Sequence, residues 1–378
     1  MSIKPRLIIM VLGVILSSCL ESPIYESGYI PDSTFPAEAI AYIDMQGSFR
    51  DNEGVPYLVE PIGVYFAPDS FIILDVRTEE QFASGHINEA INIQVPELID
   101  YLSNLNNLED RRILLVCADG SLSSYVHCLL RLYGFENTSV LKFGMAGWNP
   151  DFASEWAANL KTLGKYAFIE LNGVAYQWDE ITPLPIIPNV EGEFIPDRVK
   201  NRVRYLLSQN ITAEGNIHDM TKHFCKFNEM SPYYDQSTKT LPGISIICYD
   251  EKQIYYLYST KFAEKESHPI HSNSIELPAQ TDFRLQSSIQ RVPSHKTVIV
   301  YSRSHHRSAY LVAVLRLLGF NAKSLQYGVH SFSYDGLRNR RLPPEYPQLP
   351  DLEMPDLETL NDVFFRGMYG SLPYITGE

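Results

Sequence analysis

The 378 residues contain neither a basic stripe nor a metal-ligand array, and each absence removes a class of function. Lys and Arg number 31 against 45 Asp and Glu, for a formal net charge of −14. A protein that neutralises phosphates needs the opposite balance, so nucleic acid is not an expected partner. There is no CxxC pair, no spaced histidine array and no Cys/His cluster, so neither a metal nor a cofactor is expected. Tryptophan is scarce, at 3, but 24 Tyr and 18 Phe bring the hydrophobic share to 45%. That is enough for a sizeable core and excludes a disordered or fibrous chain. The length suits two domains of ordinary size with connecting segments.

Long hydrophobic runs are few. The apolar run Leu7 to Leu16 follows Lys4 and Arg6. As a helix it would span about 15 Å, half the hydrocarbon core of a bilayer, which suits a secretory signal better than a transmembrane anchor. The ending Leu16-Ser17-Ser18-Cys19 resembles the bacterial lipobox. The resemblance implies a signal peptide over 1–19 and lipidation at Cys19. It also implies a protein of the cell envelope, lipid-anchored to the membrane on its periplasmic or surface face. An ordinary secretory peptide with an incidental cysteine is the alternative. Beyond Cys19 stand Cys117, Cys128, Cys225 and Cys248, an even number in a compartment that permits disulfides, with no pairing indicated.

An internal repeat organises the rest. Arg111 to Cys117 and Lys296 to Ser302 are both charge-led, β-branched strands running into a polar loop that opens a helix. Seventeen residues separate Cys117 from Gly134, and seventeen separate Ser302 from Gly319. Leu130-Arg131-Leu132-Tyr133-Gly134-Phe135 matches Leu315-Arg316-Leu317-Leu318-Gly319-Phe320. In each half Leu141 or Leu325 then leads to a glycine and, four residues on, an aromatic: Gly144 with Trp148, Gly328 with Phe332. Upstream the likeness is fainter. His86 with Pro96 lies over His268 with Pro278, and Ile93 and Val95 over Ile275 and Leu277. Strands alternating with helices predict an α/β fold, with two mainly parallel sheets each covered by helices on both faces. The expected organisation is a first domain over 35–158, a Pro-rich linker over 159–190, a second domain over 191–340 and a Pro-rich acidic tail over 341–378. Asp197 to Ser208 and Leu357 to Met368 are expected helices.

The chemistry is expected in the loop Cys117-Ala118-Asp119-Gly120-Ser121-Leu122, between a buried strand and a helix beginning near Ser123. Amides of such a loop converge at a helix N-terminus and favour an anion, so a thiolate on Cys117 should have a lowered pKa. Phe71 to Asp75 with Arg77, then Gly85-His86-Ile87, the Cys117 loop with Gly120, and Gly144 with Trp148 together resemble the rhodanese family over about eighty residues. The resemblance implies transfer of sulfane sulfur through a Cys117 persulfide. The implied partners are a small sulfur donor (thiosulfate or a persulfide), a thiol acceptor and a protein partner. By the same resemblance Asp75, Arg77 and His86 orient loops and strand ends. Active members usually carry Arg at the second loop position and often another at the sixth, where this chain has Ala118 and Leu122. Each lost charge-assisted contact costs about 1.5–3 kcal/mol, so thiosulfate binding should be weak. Cys128 is expected in the core.

In the second copy, Ser302-Arg303-Ser304-His305-His306-Arg307-Ser308, the nucleophile has become Ser302, on which no persulfide forms. His305 and His306 lack an acid partner for a triad. Ser302, Arg303, His305, His306 and Arg307 are read as an anion-binding group at a helix N-terminus, in a unit without catalysis. A phosphatase would need Arg six residues after Cys, where Ser123 stands. Two functions stay open: an envelope sulfurtransferase or persulfide carrier, and a catalytically silent lipoprotein scaffold that binds an anion or a partner.

Overall fold

The protein is described by a computed structural model over residues 31–46, 57–105, 111–159, 182–235, 237–238, 241–249, 274–276, 289–331 and 372–377. The signal segment with Cys19, the helix expected over 357–368 and most of the linker lie outside the described residues. No helix among the described residues is long and apolar enough to cross a membrane.

Two five-stranded parallel sheets carry most of the described residues' strands. The first contains β2 (Leu58–Val59), β3 (Phe71–Asp75), β4 (Ile91–Asn92), β5 (Arg112–Val116) and β6 (Thr138–Leu141), in the spatial order β2-β6-β5-β3-β4. The second contains β8 (Phe224–Cys225), β9 (Ile244–Cys248), β10 (Ser274–Glu276), β11 (Thr297–Tyr301) and β12 (Ala322–Leu325), in the same order, β8-β12-β11-β9-β10. The central strands β5 and β11 are buried apolar runs, as sheets covered on both faces require. Cys117 and Ser302 directly follow them, at the carboxyl ends where loops converge.

The ladders correct the fainter part of the repeat. Ile91 lies opposite Leu74 and Ile275 opposite Ile247, so Ile275 corresponds to Ile91, not to Ile93. Side chains alternate with period two, so a two-residue slip keeps the same face and leaves the hydrophobic pattern unchanged.

The two units share one core. Helix α5 (Ser121–Tyr133), which begins two residues earlier than expected, packs on α9 (His306–Leu317). Val126, Leu129, Leu130, Leu311, Val312 and Leu315 belong to one buried cluster. Helix α8 (Ile195–Ser208) packs against α5 and against α1 (Phe35–Gln46), and Arg198 pairs with Asp32 and Glu38 across that contact. The stretch expected as a linker is built in as well: β7 (Ile187–Pro188) pairs antiparallel with β1 (Pro31–Asp32).

The end of the expected Pro-rich acidic tail returns to the first unit. His86 and Ile375 exchange two main-chain hydrogen bonds, of 2.8 and 2.9 Å. Trp148 Nε1 donates to the Pro373 carbonyl at 2.8 Å, and Leu372 is buried with Met145 and Trp148. Removing residues 372–378 is expected to lower the unfolding free energy by about 1–2 kcal/mol, since ordering six residues offsets much of what Leu372 and the hydrogen bonds contribute. Urea titration should show the loss, with a red shift of tryptophan emission as Trp148 meets water.

Candidate active site

Cys117 Sγ sits where the expected cradle should be. It accepts from the Gly120 amide at 3.1 Å and the Ser123 amide at 3.4 Å, and shares a hydrogen bond with Ser123 Oγ at 3.2 Å. Gly120 makes the curve possible: its φ of 91° is left-handed backbone that costs glycine nothing. The loop is clamped from above by α6 (Gly144–Trp148), whose Met145 and Ala146 amides donate to the Cys117 and Ala118 carbonyls at 2.9 Å. A Cβ on Gly144 would lie 2.2 Å from the Cys117 carbonyl oxygen, so only glycine permits that approach.

The amides point at sulfur, but the expected low pKa does not follow. Cys117 is 2% exposed, and burial pushes its thiol up to about 11, with the nearby Asp119 carboxylate adding to the rise. Hydrogen bonds from Ser123 and Asp119 act the other way and are outweighed. Asp119 Oδ1 accepts from the Ser121 amide at 2.9 Å and from Ser121 Oγ at 2.6 Å, and stands 3.9 Å from Cys117 Sγ. Ala118 is exposed and Leu122 half-buried. Cys117, Cys128, Cys225 and Cys248 are all buried and outside any disulfide. Cys128 lies in the core, its thiol raised by burial.

Asp75 and Arg77 hold the neighbouring loop. The Arg77 guanidinium grips the Asp75 carboxylate through Nε and through Nη2, which is 2.7 Å from Oδ2, and Nη2 also donates to the Gly85 carbonyl at 2.7 Å. His86 stacks on Phe82 and hydrogen-bonds the Phe82 carbonyl.

The second loop repeats the build without the sulfur. Ser302 Oγ accepts from the Ser308 amide at 3.2 Å, and Val329 donates to the Ser302 carbonyl as Met145 does to Cys117. His305 takes the left-handed position of Gly120, with φ 57°. That costs a non-glycine residue about 1 kcal/mol, so the histidine must be held by its contacts.

Those contacts are not the anion-binding ones expected from sequence. His305 Nδ1 accepts from the Tyr327 amide at 2.7 Å, and its Nε2 lies 3.0 Å from the Asp119 carbonyl across the interface. His306 Nε2 accepts from the Phe143 amide at 3.0 Å, and its main-chain carbonyl accepts from Tyr57 Oη at 3.2 Å. A Cβ on Gly120 would lie 2.3 Å from His306 Nε2. Both imidazoles are thus turned onto the Cys117 loop, roofed by Phe143 and Trp156. Arg303 and Arg307 stay half-buried at the rim of their own loop. Sequence reasoning missed this lid, as it missed Tyr57, Phe143 and Trp156. The available signal was the repeat itself, which places two histidines over Gly120 and Ser121.

Residues 66–151 match the family model described as the rhodanese-like domain. A curated probable molybdopterin-synthase adenylyltransferase from Porphyra purpurea is 26% identical over 127 residues, 33% of this chain and 29% of that protein's length. A rhodanese-like domain protein from Staphylococcus aureus is 26% identical, covering 24% of this chain and 90% of its own, with a TM-score of 0.22. A thiosulfate sulfurtransferase from Pseudomonas aeruginosa aligns over 81% of this chain and 69% of its own at 12% identity and a TM-score of 0.24. The Cys117 loop thus lies inside the segment that matches the rhodanese-like domain.

Proposed function

We propose that this protein is a rhodanese-like sulfurtransferase or persulfide carrier of the cell envelope, lipid-anchored through Cys19, in which Cys117 carries sulfane sulfur from a small donor to a thiol acceptor. The observation behind the proposal is the convergence of the Gly120 and Ser123 amides on Cys117 Sγ, inside the segment that matches the rhodanese-like domain. In the transfer, the Cys117 thiolate attacks the outer sulfur of the donor. A bond from Sγ to that sulfur forms as the donor's S–S bond breaks, and the electron pair leaves with sulfite from thiosulfate or with a thiol from a persulfide. The loop amides then face the terminal sulfur of the persulfide and stabilise its negative charge. A thiol acceptor reverses the step. The second unit, with Ser302, takes no sulfur and covers the first.

The alternative, a silent rhodanese-fold scaffold that binds a partner at the membrane, is favoured by one observation: the closed lid leaves Cys117 2% exposed with its thiol raised to about 11. Single-turnover labelling separates the two. Reaction of the full chain with a persulfide donor should place one sulfur on wild-type protein and none on Cys117→Ala, whereas a scaffold gives none on either.

A further inference from the structure

The site described so far leaves the donor's identity open, and Asp119 bears on it. Its carboxylate is 3.9 Å from Cys117 Sγ, closer than any other acid the site shows, on a half-buried rim next to the exposed Ala118. It already holds the Ser121 amide and hydroxyl, at 2.9 and 2.6 Å. The loop's inner amides, from Gly120 and Ser123, are given to sulfur, and the outer one is given to Asp119. An incoming anion therefore finds a donor group already taken by an anion of the protein's own, and meets like charge at contact distance. At the corresponding place the second loop has the uncharged Ser304.

Resting on the sulfurtransferase reading, we infer that Asp119 is a specificity determinant that turns away anionic sulfur donors such as thiosulfate, leaving Cys117 to donors whose outer sulfur carries no charge, as in the protonated form of an organic persulfide, whose S–S bond breaks to release the thiolate. A purely structural role, a turn that starts α5, needs only an acceptor oxygen. Asparagine supplies the same Oδ1 to Ser121 without the charge, so Asp119→Asn separates the two roles.

The full chain is alkylated at Cys117 with iodoacetamide, which is neutral, and iodoacetate, which is an anion, and the ratio of the two rates is compared with that of free glutathione. The ratio is the readout because removing the charge also frees thiolate and speeds both reagents alike. Wild type should favour iodoacetamide at least about tenfold more than glutathione does, less so at high salt, and Asp119→Asn should abolish most of that preference. Persulfide formation from thiosulfate should rise about tenfold in the variant. An unchanged ratio in Asp119→Asn, or thiosulfate transfer as fast in wild type as in the variant, overturns the inference. So does a Cys117 closed to both reagents in both proteins. A shifted ratio with no persulfide from any donor leaves the selectivity standing and removes the transfer reading instead.

Discussion

Asp75→Ala is expected to lower the free energy of unfolding by about 3–5 kcal/mol, as the loss of one partner of a fully buried ion pair does. The carboxylate is wholly buried and the Arg77 side chain is 4% exposed, so the variant leaves a guanidinium inside the protein with no counter-charge. Three bonds disappear in the side-chain grip, together with the one Asp75 Oδ1 accepts from the Arg77 amide at 3.0 Å. The Arg77 bond to the Gly85 carbonyl goes slack as well, and with it the footing of His86 and of Ile375, which is bridged to it. Urea unfolding followed by circular dichroism should show a lower midpoint at nearly constant slope. The apolar pair Asp75→Leu with Arg77→Met should recover most of the loss, because an uncompensated charge costs more than the pair contributes. A loss below about 1 kcal/mol for Asp75→Ala would mean that water reaches Arg77 and the pair is not structural.

The strands and the Cys117 loop were legible because parallel sheets covered on both faces leave uninterrupted apolar runs, and Ile113 to Val116 and Val298 to Tyr301 are such runs. The Gly120 and Gly144 positions were legible for a different reason: left-handed backbone and a contact at 2.2 Å admit little else. What could not be read was how the two copies meet. Helix α9 is apolar on nearly all sides, and α5 buries its polar Ser123, His127 and Arg131 as well as its apolar face, so no stripe in the sequence marks which faces are shared. The thiol's acidity was misjudged because the loop's own amides are local in sequence, whereas burial in the folded core outweighs them, and the His305 and His306 rings that cover the loop come from more than 180 residues away. The docking of Leu372 and Ile375 on Trp148 and His86 was unreadable for the same reason of distance along the chain.

His305→Ala with His306→Ala is expected to speed alkylation of Cys117 by iodoacetamide at pH 7.5 by roughly ten- to hundredfold. Each imbalance in the lid is modest, about 1 kcal/mol for a hydrogen bond, but two such bonds and two packed rings act on one opening equilibrium, and alkylation follows the open fraction. The midpoint of the rate against pH should fall from about 11 toward the free-thiol value near 8.5, because burial is the main cause of the rise. The lid should also weaken in acid. Since His305 Nδ1 and His306 Nε2 accept from main-chain amides, each ring is neutral, with its proton on the other nitrogen: His305 Nε2 donates to the Asp119 carbonyl and His306 Nδ1 to Ser304 Oγ. Burial holds both rings below the ordinary histidine pKa, opposed at His305 by Asp119 and reinforced at His306 by its neighbour His305 and by Lys142. The opened form therefore binds more protons, so closure is at full strength above pH 6.5 and is lost as pH falls below it. Corrected for thiolate fraction, wild-type alkylation should rise from pH 7.5 to pH 5, and the double variant should show no such rise. Equal rates in wild type and variant at pH 7.5, with both folded by circular dichroism, would mean that donors reach Cys117 by a path the histidines do not cover.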